Sequence, residues 1–178
     1  SIIKYLDEVD ADAKKIGAIN TIKVTKDNRL IGYNTDVYGF QKSIEPLLQK
    51  HHKKALILGT GGASKAVAYA LDKLDIGYEF VSRNVSENSL LYSILSKQVM
   101  EEYTVIINCT PLGTHPNIDD SPNIPYEFIT EKHLLFDLIY NPSETKFLQE
   151  GKKRGAIIKN GLEMLELQAE KSWEIWNS

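Results

Sequence analysis

The residues of this chain best able to do chemistry begin with a glycine turn, Gly59-Thr60-Gly61-Gly62-Ala63. It is set between the uncharged run Ala55-Leu56-Ile57-Leu58 and the residues Ala63, Val67, Ala70, Leu71 and Leu74, which recur at helical spacing. An apolar strand, a turn poor in Cβ atoms and a helix start bring phosphate oxygens close to the main chain. They also offer those oxygens unpaired N–H groups and the positive end of the helix dipole. A dinucleotide diphosphate is the expected ligand. On its own, a glycine triplet is equally an ordinary strand-to-helix turn, and the deciding residues lie on the next strand, Tyr78-Glu79-Phe80-Val81-Ser82-Arg83-Asn84. An NAD-type site places an acid at the strand tip, about 20 positions after the glycines. Glu79 has about the right count but belongs to the strand body, and the tip carries a hydroxyl, a guanidinium and an amide. Taken alone, Arg83 is a solvated strand-end residue. Its position relative to the glycine turn makes it a partner for a 2′-phosphate, with Ser82 and Asn84 as donors to the same oxygens. NADP is therefore expected over NAD.

Two further polar groups stand out. Asn34-Thr35-Asp36 are all helix-capping types and precede Val37, Phe40, Ile44, Leu47 and Leu48 on one helical face, so spacing alone reads Asp36 as an N-cap. Gln168 shares one side of the last helix with Gly161 and Met164, where its amide could meet a polar ligand.

The elements that must position these residues alternate strand and helix for most of the chain, the pattern of a parallel sheet covered on both faces. Ile19 to Val24 and Leu30 to Tyr33 read as a hairpin across the polar turn Thr25 to Arg29. The basic run Lys50 to Lys54 reads as a solvated connector, and its adjacent histidines lack the Cys or carboxylate neighbours of a metal site. A weak helix is expected over Glu87 to Lys97, then the strand Val105 to Cys109. The proline-rich stretch Thr110 to Pro125 that follows is a candidate cofactor flap. Leu134 to Tyr140 and Ala156 to Lys159 read as strands around a helix from Thr145 to Arg154. The terminal helix Leu162 to Trp176 carries an apolar stripe at Leu162, Leu165, Ala169, Trp173 and Trp176.

Composition narrows the classes. With 178 residues, 42% of them hydrophobic, the chain can bury one solid core plus a small appendage. A net charge of −3 gives no field for nucleic acid or anionic lipid. The one cysteine, Cys109, cannot form an internal disulfide and reads as a buried small hydrophobe in a reducing compartment. No apolar run approaches the roughly 18 residues of a membrane span, so the expectation is a soluble, cytoplasmic chain.

Several segments together resemble one family. Gly17-Ala18-Ile19-Asn20-Thr21, Gly32-Tyr33-Asn34-Thr35-Asp36-Val37-Tyr38-Gly39 and the glycine turn are matched. So are Asn108-Cys109-Thr110-Pro111-Leu112-Gly113, Asp137-Leu138-Ile139-Tyr140-Asn141-Pro142 and Gly161 to Ala169. In this order they make the chain resemble, over essentially its whole length, the shikimate dehydrogenases, NADP-dependent reductases of 3-dehydroshikimate. The resemblance implies an α/β fold: a doubly wound Rossmann-type parallel sheet over residues 36–160, a remnant of an α/β substrate domain over residues 1–35, and a terminal helix, 161–178, returning to that domain. It places Asn20, Asp36, Tyr140 and Gln168 on the substrate, although a strand-end tyrosine is also a common amphipathic rim residue. Asp36 matches the carboxylate that partners a catalytic lysine. Gly59, Thr60, Gly61, Gly62 and Ala63 match the diphosphate turn, and Ser82, Arg83 and Asn84 match the 2′-phosphate site. Thr110, Leu138 and Gly161 match the ribose and nicotinamide lining. No metal is implied.

Two departures from the family pattern change the expectation. Glu87 stands where relatives often carry a second arginine, so NADP preference should be weaker and NAD use possible. Family enzymes also carry their catalytic lysine just before the segment matched by Ile2 to Asp10, so the chain reads as N-terminally truncated. Lys4, Lys14 and Lys15 are not matched to that lysine, and Asp36, ionised near neutral pH, cannot donate the proton itself. Apolar surface exposed by the missing front would favour self-association, for instance as a homodimer. Two other readings stay open, an NAD-using quinate or shikimate dehydrogenase and a nucleotide-sensing module without catalysis; a folate-pathway dehydrogenase would share the domain but leave the Asn34-Thr35-Asp36 and Met164 to Gln168 motifs unexplained. The purified chain is expected to oxidise NADPH with 3-dehydroshikimate slowly or not at all; turnover at the rate of an ordinary dehydrogenase, about 10 per second, would contradict this.

Overall fold

The computed structural model describes residues 2–84 and 88–178. Its first unit is a small sheet built from β1 (Glu8–Val9), β2 (Thr21–Val24) and β3 (Leu30–Tyr33), in the order β1-β3-β2. β2 and β3 form the expected antiparallel hairpin, with Thr21 opposite Tyr33 and Val24 opposite Leu30, while β1 runs parallel to β3. Helix α1 (Ala11–Ile16) opens with Asp10 accepting from Asp12 N–H and closes on Gly17 in the left-handed region, φ +70°. Helix α2 (Asp36–Ile44) follows β3. Here the sequence reading is corrected: Asp36 lies inside the first turn, and the Asn34 side chain accepts the Val37 N–H at 3.3 Å instead.

The second sheet contains β4 (Lys54–Leu58), β5 (Gly77–Ser82), β6 (Leu90–Leu91), β7 (Val105–Asn108), β8 (Leu134–Asp137) and β9 (Ile157–Lys159). Every recorded pairing is parallel, and the order is β6-β5-β4-β7-β8-β9. From β4 successive strands are added first on one side (β5, β6) and then on the other (β7, β8, β9), which is the doubly wound, Rossmann-type arrangement expected. Strand alternation divides the core. Ala55, Ile57, Val105, Ile107, Leu134 and Phe136 face α2 and α3 (Gly62–Lys73), and the Phe40 and Phe136 rings meet edge-on at 5.0 Å. Leu56, Leu58, Ile106 and Leu135 face the other way, toward α4 (Lys97–Glu102) and α5 (Lys146–Lys152).

Three local expectations give way. The helix expected over Glu87 to Lys97 is absent from its described part. Leu90 and Leu91 add a short edge strand, a 3-10 turn spans Tyr92–Ile94, and the helix starts only after Ser96, whose hydroxyl accepts the Val99 N–H. Glu87 itself lies outside the described residues. In the terminal helix, α6 (Leu162–Asn177), Leu162, Leu165, Trp173 and Trp176 are exposed, and Met164 and Ser172 are buried. The helix packs through its Met164, Gln168 and Ser172 side because α2 approaches closely there, at a glycine: a Cβ on Gly39 would come within 2.5 Å of Met164 O. Lastly, the basic connector is not all solvated, since His52 is only 3% exposed.

His52 Nδ1 accepts the Gln49 N–H at 3.0 Å, which leaves Nε2 to donate to Lys132 O at 3.1 Å and fixes the neutral ring. Burial pushes its pKa below the usual value of 6.5, outweighing the opposing bond to Lys132. A histidine with a lowered folded pKa stabilises above its unfolded pKa and loses that contribution as pH falls. Urea unfolding should therefore show a lower midpoint at pH 5.5 than at pH 7.5, and His52→Gln should flatten the difference; an unchanged slope would remove His52 as its source.

Candidate functional site

At the carboxyl ends of β4, β5 and β7, where the winding reverses, lies a cleft of about 850 Å³. Gly59, Thr60, Gly61, Ser82, Arg83, Asn84 and Thr110 all line it. The glycines play different parts. Gly59 sits at φ +101° with its N–H on Val81 O, a conformation that side chains resist, and a Cβ there would reach the Thr110 methyl at 3.2 Å. Gly61 and Gly62 have ordinary backbones, and a Cβ on either would meet nothing within 4 Å. What they keep clear is space in front of the first turn of α3. That turn has no side-chain cap, and the Ser64 hydroxyl fastens it from behind by donating to Gly61 O at 2.6 Å. Uncapped N–H groups facing an open cleft suit a diphosphate.

The floor of the cleft is shaped by a buried polar chain. Asn108 Oδ1 accepts from the Thr110 N–H and hydroxyl at 3.0 and 2.6 Å, while its Nδ2 donates to Asp137 Oδ1 at 3.0 Å. Thr145 donates to Asp137 Oδ2 at 2.5 Å, and the Ile139 N–H donates to Oδ1. Burial pushes the Asp137 carboxyl up to about 6 against the pull of these donors. The segments following β7 and β8 are thereby locked together. Leu138, next in the chain, lies so close to Gly161 that a Cβ there would fall 2.0 Å from Leu138 O.

A second cluster forms where β2, α2 and α6 meet. Asn20 Nδ2 donates to Asp36 Oδ1 at 2.9 Å, and Gln168 Oε1 accepts from the Thr35 hydroxyl at 3.1 Å. Burial raises the Asp36 pKa, and the bond from Asn20 partly offsets it. Asn20, Asp36 and Gln168 thus offer amide donors beside a carboxylate acceptor, suited to ring hydroxyls. Tyr140 is 50% exposed on the loop after β8 and no hydrogen bond joins it to this cluster among the described residues. Lys4, Lys14 and Lys15 form no ion pair with Asp36; Lys4 lies over Tyr5 and Lys15 over Tyr69.

Several lining residues escaped the sequence reading. Leu91 enters the cleft from the edge strand and Tyr92 and Ser93 from the 3-10 turn after it, while Leu112, Ser121 and Asn123 come from the proline-rich stretch that was expected beside the cofactor as a segment but not residue by residue. A two-residue strand has no periodicity to announce it. Cys109, expected as a buried small hydrophobe, is partly buried and borders the cleft, and burial pushes its thiol pKa up.

No protein-family profile matches the chain. Against individual proteins it is 40% identical to the NADP(+) shikimate dehydrogenase of Methanococcus aeolicus over 98% of this chain and 68% of that relative. Among solved structures, shikimate 5-dehydrogenase from Thermus thermophilus in complex with NADP(H) and shikimate is 30% identical, with a TM-score of 0.81 over 98% of this chain and 68% of that one. The Listeria monocytogenes enzyme in complex with shikimate and NAD is 26% identical, with a TM-score of 0.84 over 99% and 69%. The chain thus spans about two thirds of the length of the proteins it matches.

The two kinds of glycine separate experimentally. Gly59→Ala should cost about 1–2 kcal/mol of stability through its left-handed backbone. Gly61→Ala should melt like the parent yet bind a dinucleotide at least tenfold more weakly by calorimetry, and unchanged affinity would show that ligand does not occupy this space.

Proposed function

Because the chain belongs to the shikimate dehydrogenase family, we propose that it holds NADP in the switch-point cleft and one face of shikimate or 3-dehydroshikimate at the Asn20, Asp36 and Gln168 cluster, for the interconversion of the two. The observation that carries this reading is the pairing of an uncapped, unobstructed helix start with a guanidinium across the same cleft. Gly59 to Ala63 hold the diphosphate, Ser82, Arg83 and Asn84 the 2′-phosphate, and Thr110, Leu138 and Gly161 the ribose and nicotinamide. Tyr92 borders the nucleotide from the sheet edge.

When bound, NADPH supplies hydride to the carbonyl carbon of the substrate. This chain orients the other partner. Asn20 and Gln168 donate to ring oxygens, while Asp36, with Oδ1 engaged by Asn20, keeps Oδ2 to accept from a substrate hydroxyl or to hold a cationic proton donor. Tyr140 closes the rim. Positioning of this kind converts an encounter into a reaction within one complex.

A second reading, use of NAD, has support from one feature: Arg83 is the one basic side chain lining the cleft among the described residues. Losing a charge-assisted bond costs about 1.5–3 kcal/mol, roughly ten- to a hundredfold in affinity. Calorimetry should find NADPH bound more tightly than NADH, with Arg83→Glu abolishing the difference and sparing NADH. Equal affinities in the parent would favour the second reading, and no heat with either coenzyme would overturn both.

A further inference from the structure

We propose that Thr35 is a positioning residue: its hydroxyl holds the Gln168 amide by the carbonyl end, so that Gln168 presents N–H donors to the ligand. The ligand part of this rests on the function proposed above. Thr35 occupies the N-cap of α2, where a threonine ordinarily caps, yet its side chain makes no capping bond. Asn34 serves the Val37 N–H in its place, and the Thr35 hydroxyl, in a residue 1% exposed, turns away from its own helix.

It turns into a cluster of hydroxyls beneath the candidate substrate face. Thr35 Oγ1 lies 3.1 Å from Gln168 Oε1, 3.1 Å from Ser172 Oγ and 3.2 Å from Asn20 Oδ1. One placement of protons satisfies every group. Ser172 donates to Gln168 O at 2.9 Å, and Thr21, whose nearest acceptor is Ser172 Oγ at 2.7 Å, donates there. Asn20 Oδ1 already accepts the Thr35 N–H at 2.9 Å, which turns Asn20 Nδ2 toward Asp36. The Thr35 proton then has two carbonyl oxygens within reach, Gln168 Oε1 at 3.1 Å and Asn20 Oδ1 at 3.2 Å, and the first is the nearer and the one without a backbone N–H on it. Gln168 Nε2 takes no partner among the described residues, leaving two donors for a ligand oxygen. The face so polarised reads donor, acceptor, donor at Asn20, Asp36 and Gln168. With the amide reversed, an acceptor would stand beside the Asp36 carboxylate, which suits a hydroxyl-bearing ring less well.

The test uses Thr35→Val, Thr35→Ser, Gln168→Ala and the double variant Thr35→Val with Gln168→Ala in the full chain. Two readouts are taken: shikimate affinity by calorimetry with NADP+ present, and the side-chain amide signals of Gln168 by nuclear magnetic resonance. Valine preserves shape and removes no capping bond, so folding should persist, and serine keeps the hydroxyl. A neutral hydrogen bond lost in this way is worth about 1 kcal/mol, so Thr35→Val should bind shikimate about fivefold more weakly with NADP+ affinity unchanged. Serine should restore binding, and the valine effect should vanish in the Gln168→Ala background, since a residue acting through another has nothing left to act on. The Gln168 signals should move in the valine variant and return in the serine one. Gln168 signals indifferent to Thr35→Val, or a valine effect that persists in full without Gln168, would overturn the proposal. Responsive signals in a chain that does not bind shikimate would keep the positioning role and overturn the substrate reading.

Discussion

The arrangement depends on how closely α6 can approach its neighbours at two glycines. At Gly161 the helix start abuts the backbone leaving β8, with no room for a Cβ against Leu138 O, and at Gly39 the α2 backbone abuts Met164 O just as tightly. Close approach of this kind strengthens dispersion contacts and leaves the helix little freedom to slide. The far end is tied to the small sheet, where Trp176 donates its indole N–H to Ile22 O and Ser172 meets Thr21. One helix therefore runs from the backbone leaving β8 to the polar cluster and fixes the distance between those two regions. On the proposed placement of cofactor and substrate, hydride transfer tolerates little error in that distance, so helix seating matters more here than a greasy helix face would.

Two polar networks carry that constraint into chemistry. The Asn108, Asp137 and Thr145 chain locks the segments after β7 and β8, so the floor of the cleft and the backbone under Gly161 move as one piece. The hydroxyls of Thr21, Thr35 and Ser172 do the same for the other half, joining a strand, a helix start and α6. Both are buried and satisfied, the condition under which polar groups specify a structure rather than weaken it. Asp137 and Asp36 share a raised pKa for the same reason, burial, but only Asp36 has a face open to a ligand amid donors of matching kind.

The sheet and the nucleotide turn were legible in sequence because they rest on local pattern. Uncharged Ala55 to Leu58 fit a strand buried on both faces, and Gly59 after them fits a turn at a backbone that other residues resist. Asp36 was legible as a residue of interest, but its neighbours' roles were exchanged, since Asn34, Thr35 and Asp36 are all capping types and local spacing cannot say which side chain is claimed by tertiary partners. Tyr92 was hidden because Leu90 and Leu91 gain their strand character from the sheet edge they join. The stripe on α6 was inverted for a related reason: periodicity marks where apolar residues lie, while Gly39 and Gly161 decide which side can touch. Ser172 gave no signal, and Thr35 and Asn108 were legible only as a capping type and a motif member, because the partners of their side chains lie more than a hundred positions away or across a sheet.

The claim that α6 holds a nucleotide cleft and a substrate cluster in reacting register is tested most directly by a crystal structure of this chain with NADP+ and shikimate together. The account predicts the nicotinamide ring beside Leu138 and Gly161, with the ring hydroxyls of shikimate on Asn20, Asp36 and Gln168 and the reacting carbons within about 3–3.5 Å. A nicotinamide directed away from Gly161, or shikimate seated elsewhere while the nucleotide fills the cleft, would contradict it.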